Sequence, residues 1–409
     1  MSKFRIEERR ARLTESLREL ASEGRGWALT VVALGWLLLL GTRLIFPALL
    51  PEIKTAYGLN NATAGGIISA ISITVATMQF PSGVLADRVG ERIVLVIGMV
   101  VAAIGLTILS TLPVLPAFLV GGILFGIGMG SFGSPRVMVL SNLYPKRDGT
   151  AIGITFSAGH VGTSTLPFVA GTLMILFGWQ VGFLYVIPLF LFTAFGLWRF
   201  VPARTERASS ETHKSRKAAI REILSVVTRR QILLTFLALS LWSFTFVGIT
   251  TFLPTYLITE KGLSPQSATA IYSLLFVTGL FAQAGAGNVA DRHGYRRVLL
   301  PLSAISIVPL FVFPFADGVW LLGGLVLLMG TRLGLMPVTN AYLISAVPDE
   351  SQGSSYGLVR SFQAYIGSTG AVFVGFLADS GLFDEAFLIL AGSTVIMTVI
   401  YLALPVEGS

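Results

Sequence analysis

Gly83-Val84-Leu85-Ala86-Asp87-Arg88-Val89-Gly90 recurs 204 residues later as Gly287-Asn288-Val289-Ala290-Asp291-Arg292-His293-Gly294. The same offset relates Gly58-Leu59 to Gly262-Leu263, Gly149 and Gly153 to Gly353 and Gly357, Gly171 to Gly375, and Phe183 to Phe387. One coincidence of this kind carries little. A single offset recurring across most of each half implies a duplicated chain. Both copies of the octapeptide lie between long apolar runs, so the duplicated unit is built of apolar segments.

The composition agrees. Of 409 residues, 54% are hydrophobic and 12% are charged, whereas a soluble globular protein carries roughly 25% charged residues. So little charge cannot cover a water-facing surface, which excludes a soluble enzyme, a disordered chain and a disulfide scaffold. There is no cysteine, and so no thiolate zinc site and no thiol chemistry. No Walker loop, G-x-S-x-G or H-E-x-x-H motif is found, and no cofactor is expected.

Apolar runs of spanning length cover approximately 27–50, 63–84, 93–112, 117–143, 150–176 and 181–200, then 232–257, 267–289, 298–316, 319–347, 355–378 and 385–404. They are continuous rather than alternating, which favours helices over the strands of a membrane barrel. The expected fold is an all-α integral membrane protein of twelve transmembrane helices in two parallel-repeat six-helix halves. The expected divisions are a tail 1–26, a first half 27–200, a linker 201–231, a second half 232–405 and a tail 406–409. Parallel repeats of this kind are a transporter architecture, with the substrate site between the halves near mid-membrane.

The net charge is +8, but the basic residues lie in small clusters between apolar runs, so nucleic acid is not an expected partner. With both termini cytoplasmic, the inner pieces hold 22 of the 29 Lys and Arg, as the positive-inside rule requires. A multi-pass protein of a prokaryotic-type plasma membrane, monomeric in the bilayer, is expected. The linker, basic overall, reads as a tether at the anionic inner leaflet.

The doubled G-x-L-A-D-R-x-G pattern resembles the signature of the major facilitator superfamily, and the resemblance covers about residues 27–404. It implies a gating role for Gly83, Asp87, Arg88, Gly90 and Arg92 and for Gly287, Asp291, Arg292 and Gly294. In that family the loop carboxylate engages a helix end and basic residues of the other half. Glu91 precedes Arg92 where two basic residues are usual. The helix-4 arginine of proton-driven members corresponds to Gly122. In the fifth span, Leu166 and Ala170 replace glycines of the antiporter motif, which weakens a drug/proton antiport reading.

The ionisable residues inside the spans speak about the substrate. All 21 acidic residues map to tails, loops or span ends, whereas Arg43, Arg136, Arg332, Arg360 and His160 lie within spans. A buried arginine without a carboxylate costs about 2.5–3.5 kcal/mol even on insertion scales. It must face water, carbonyls or an anion, and its fork matches a carboxylate or phosphate. All five fall on helices that line the cavity by family analogy. Arg136 and Arg360 also lie near enough to the cytoplasmic end to snorkel, and Arg360 is assigned to the gate. Asn340, Gln363, Tyr365, Gln283 and Tyr272 either complete a pocket or bond helix to helix.

Thr42-Arg43, with Pro51 eight residues on and Gly58-Leu59 beyond, resembles the first helix of the anion:cation symporter branch. There the arginine binds organic-anion carboxylates. Thr42 stands in place of that branch's Asp. Gly159-His160-Val161-Gly162 is similar to its helix-5 Gly-Gln-x-x-Gly, which makes His160 a candidate ligand, as a proton carrier or as a neutral hydrogen-bonding group. The expectation is therefore a secondary active or facilitated transporter of a small organic anion, working by rocker-switch alternating access, with a coupling proton or counter-anion. Substrate-binding candidates are Arg43, Arg332, His160, Arg136, Asn340, Gln363 and Tyr365. An exporter of drugs or neutral solutes, and more remotely a non-transporting sensor or scaffold, remain as alternatives.

Overall fold

The computed structural model describes residues 25–145, 147–203, 229–346 and 352–405. Most of the expected tail 1–26, residues 204–228 of the expected linker and the tail 406–409 lie outside the described residues, as does the Asp291 side chain. Twelve described helices are long and apolar enough to cross a membrane. They are α1 (Arg25–Ala48), α2 (Asn61–Val89), α3 (Glu91–Thr111), α4 (Leu115–Leu143), α5 (Asp148–Phe177) and α6 (Val181–Phe200). The second six are α7 (Arg230–Thr259), α8 (Pro265–His293), α9 (Tyr295–Val312), α10 (Val319–Ala346), α11 (Gln352–Asp379) and α12 (Phe383–Ala403). A helix closes its backbone hydrogen bonds within one segment, as hydrocarbon surroundings demand.

The sequence offset reappears in the geometry. Gly58 and Gly262 both adopt φ +63°, a left-handed turn that favours glycine. Two residues on, Asn60 caps α2 by accepting from Thr63 N at 2.9 Å, and Ser264 caps α8 by accepting from Ser267 N at 3.3 Å. At the other face Gly90 (φ +91°) and Gly294 (φ +86°) turn the chain from α2 into α3 and from α8 into α9. The arginines just beyond these glycines also match. Arg92 Nη1 donates to the Trp198 carbonyl at the end of α6 (3.5 Å), and Arg296 Nη1 donates to the Leu404 carbonyl at the end of α12 (3.2 Å). Cations at helix C-termini satisfy orphan carbonyls and complement the dipole.

Two elements differ from the sequence reading. Helices α2 and α8 run on to Val89 and His293, so Asp87 and Asp291 sit in last helical turns rather than in loops. The signature residues tolerate a helix, and the chain reverses only at the left-handed glycine. Helix α10 is not continuous, since Val319–Gly330 and Leu335–Ala346 are joined by a 3₁₀ turn, Thr331–Gly334.

The halves meet where α2 packs on α11, α5 on α8, and α1 on α7. Toward the face that carries Lys54, the α2–α11 seam is a backbone contact. A Cβ on Gly65 would strike the Ala371 carbonyl, and one on Gly375 would strike the Asn61 carbonyl. Overpacking such a contact costs about 1–3 kcal/mol. Gly375→Val is therefore expected to part the seam, and a cysteine placed at Ser69 should react about tenfold faster with an impermeant thiol reagent added from the Lys54 face. Unchanged reactivity would contradict a seam held by backbone approach. The chain has no native cysteine to confuse the readout.

Candidate functional site

A cavity of about 310 Å³ lies between the halves. Its lining comes from α1, α2, α4 and α5 and from α7, α8, α10 and α11, with nothing from α3, α6, α9 or α12. On α1, one turn before Pro47, Arg43 reaches across to α2 and donates from Nη2 to Ser72 Oγ at 3.3 Å. Tyr272 on α8, from the other half, is within electrostatic reach of this guanidinium. Its hydroxyl is buried with no hydrogen-bond partner among the described residues. On α5, His160 Nδ1 meets Gln283 Nε2 of α8 at 3.5 Å, a polar link between the halves. On α11, Arg360 Nη1 donates to Gln363 Oε1 at 2.7 Å; the two lie three residues apart and share a helix face. The described lining holds two arginines and one histidine and no carboxylate.

The remaining candidates stand elsewhere. Arg136 is 3% exposed and does not line the cavity. It donates to Thr155 Oγ1 at 2.8 Å and lies over the rings of Trp36 (3.9 Å) and Phe156 (4.8 Å), which do line it. Arg136 thus supports an aromatic wall. Arg332 is 1% exposed and also off the cavity. It sits in the 3₁₀ turn of α10 beside Tyr401 of α12, and its three guanidinium nitrogens find no hydrogen-bond partner among the described residues. A 3₁₀ turn advances about 120° per residue against about 100° in an α-helix. Four such residues rotate the second part of the helix by roughly 80°, so a side-chain direction counted from one end of α10 fails at the other. Asn340 Nδ2 donates to its own helix at Met336 O (2.9 Å), and the Tyr365 hydroxyl bonds Thr77 of α2 at 3.0 Å, a tie between halves rather than a cavity group.

A family model described as Major Facilitator Superfamily matches residues 31–331 and again 262–409. The chain belongs to the major facilitator superfamily. This superfamily member is 25% identical over 381 residues to the hexuronate transporter of Bacillus subtilis (strain 168), covering 88% of this chain and 90% of that one. It is 22% identical over 388 residues to a riboflavin transporter of Clostridioides difficile (strain 630), covering 82% and 85%. Among solved structures it resembles a bacterial homolog of the human lysosomal transporter Spinster in an inward-facing, unoccupied conformation. There the TM-score is 0.79 at 14% identity, covering 94% of this chain and 97% of that one, a likeness of fold. The chain is a multi-pass membrane transporter of small solutes and not an enzyme.

The signature residues of this major facilitator lie at the face opposite Lys54. Asp87, Arg88 and Arg292 are exposed there. Gly83 and Gly287 have room around them, and Arg92 stacks on Trp198 of its own half at 4.5 Å. Arg360, expected with the gate, lines the cavity.

A group without a sequence assignment holds the other face. Asp379, the last residue of α11, accepts from Asn61 N and Ala62 N at the start of α2, both at 2.7 Å. The carboxylate of one half thus caps the helix dipole of the other. Lys54 bonds the Asn61 side chain. Burial pulls its ammonium below the usual lysine range, and the Asp379 charge opposes that shift. The signal was present in the sequence: an Asp at a helix C-terminus opposes its own dipole and so calls for a partner elsewhere. Each hydrogen bond to a charged group contributes about 1.5–3 kcal/mol. Asp379→Asn should speed amide hydrogen exchange at the start of α2 by at least about tenfold. Unaltered exchange would contradict the clasp.

Proposed function

We propose that this transporter carries a small organic anion through the bilayer by alternating access of its two halves. The observation that carries the reading is a cavity with Arg43 and Arg360 in its wall and no carboxylate among its described lining residues. Two fixed cations in a low-dielectric cavity favour an anionic occupant. The Arg43 fork, with one hydrogen bond to Ser72, keeps donors for a carboxylate in two-point geometry. His160 and Gln283 supply polar contacts from opposite halves, so an occupant that bridges them couples the halves. The distribution of Lys and Arg supports a cytoplasmic Asp87 face and cytoplasmic termini. On that orientation the clasped Lys54 face is the outer one. The name of the hexuronate relative is consistent with an anionic cargo.

A neutral-solute carrier is the second reading, favoured by the aromatic walls of the cavity and by the riboflavin relative. Reconstitution into liposomes separates the two. Arg43→Gln should reduce carboxylate flux at least thirtyfold, from about 2 kcal/mol or more for a buried charge contact. Arg43→Lys should restore only part of it, because an ammonium cannot reproduce the fork. Undiminished flux in Arg43→Gln, or flux of neutral solutes alone, would overturn the anion reading.

A further inference from the structure

We infer that the substrate is an aromatic monocarboxylate, a planar one- or two-ring acid, rather than a hydroxylated sugar acid or an aliphatic one. This rests on the anion reading above and narrows it. The cavity has aromatic walls in both halves. In the first, Trp36 and Phe156 meet edge to face, with centroids 6.5 Å apart and an interplanar angle of 87°. In the second, Trp242 and Phe246 lie one helical turn apart on α7, stacked at 4.9 Å and 10°. All four line the cavity, and Phe46 of α1 and Phe276 of α8 add two more rings.

Rings grouped so beside two guanidiniums do more than fill space. Aromatic faces attract other rings in offset or edge-on arrangements, beyond what burial alone gives. Arg136 lies over both Trp36 and Phe156 without entering the cavity. Its cation draws π density toward itself, so the wall is better disposed toward an electron-rich ring carrying a negative charge. Removing the Arg136 charge would weaken the wall without touching the ligand directly.

Part of the polar inventory is already engaged within the protein. Each hydroxyl of a sugar acid needs a partner once desolvated. The Thr163, Thr250 and Ser368 hydroxyls of the cavity donate to their own helices, at His160 O (2.8 Å), Phe246 O (2.7 Å) and Tyr365 O (2.6 Å). An acid with one polar end and one apolar ring engages the Arg43 fork and the aromatic walls, and leaves His160, Gln283, Gln79, Ser243 and Thr251 for water or a single ring substituent. Size agrees, because an apolar cavity of about 150 Å³ accepts benzene, and about 310 Å³ accommodates one or two fused rings with a carboxylate.

The test is a binding panel on the purified full chain, read by thermal shift and by quenching of intrinsic tryptophan fluorescence. The probes are benzoate, 2-naphthoate, cyclohexanecarboxylate, galacturonate and benzamide. Benzoate or 2-naphthoate should bind about three- to tenfold more tightly than cyclohexanecarboxylate, the ring contribution expected of an aromatic pair. Galacturonate and benzamide should bind weakly. Phe246→Leu, which keeps an apolar side chain and removes the ring, should narrow the gap between benzoate and cyclohexanecarboxylate. If that variant does not fold, the panel on the unaltered protein decides alone.

If cyclohexanecarboxylate or galacturonate binds as tightly as benzoate and Arg43→Gln abolishes that binding, the aromatic inference is overturned and the anion reading stands. If benzamide binds as well as benzoate and Arg43→Gln changes nothing, both fall. Absence of binding by every carboxylate also overturns both.

Discussion

An arginine inside a membrane span is costly to bury, and the ways in which four of them are placed organise this molecule. Arg136 is stacked on two rings and bonded to Thr155. Arg43 reaches Ser72. Arg360 is held by Gln363. None of these described partners carries a negative charge. Burying an arginine costs about 2.5–3.5 kcal/mol, and at Arg43 and Arg360, which face the cavity, the proposed anionic occupant would offset that cost. Arg332 is the extreme case, fully buried in a 3₁₀ turn with no hydrogen bond from its guanidinium among the described residues. A mid-helix 3₁₀ stretch often marks a hinge, and this one joins the two α-helical parts of α10.

The two faces of the bundle are managed differently. At the Asp87 face the duplication is faithful, with two left-handed glycines and two arginines on the final carbonyls of α6 and α12. At the Lys54 face it is broken. Asp379 caps α2, but the positions related by the repeat are Ile175 and Pro265. Isoleucine has no carboxylate to offer, and proline has no N–H to receive one. The clasp therefore exists on the α2–α11 seam alone, and the α5–α8 seam closes by the approach of Gly171 to Thr269. A charged cap on one seam and a close Gly–Thr approach on the other give this face a latch on a single side.

Much of this was legible in the sequence. The offset of 204 residues announced two halves, and the glycines at 90 and 294 announced tight turns, because a recurring Gly after a polar helix end has few other uses. Arg43, His160 and Gln363 lie in regular α-helices and line the cavity, whereas Arg136 and Tyr365, also in regular helices, meet Trp36 and Thr77 outside it, because which neighbour a helix face meets is not written in its own spacing. Arg332 could not be placed, because the Thr331–Gly334 turn breaks the count and Thr-Arg-Leu-Gly carries no mark of a 3₁₀ turn. Trp242 and Phe246 were visible as a pair four residues apart, but in so apolar a chain aromatics read first as packing. Asp379 is separated from Asn61 by more than 300 residues, and only its opposition to its own helix dipole set it apart.

The central claim is that the arginines facing the cavity exist to receive a carboxylate. The most direct measurement is a structure of the purified protein, determined by electron cryo-microscopy in lipid nanodiscs, with a saturating aromatic carboxylate. The predicted result is a ligand in the cavity between the halves, with both carboxylate oxygens within hydrogen-bonding reach of Arg43. A ligand seated there with its carboxylate turned away from Arg43 and Arg360, or bound outside the cavity altogether, would contradict the claim.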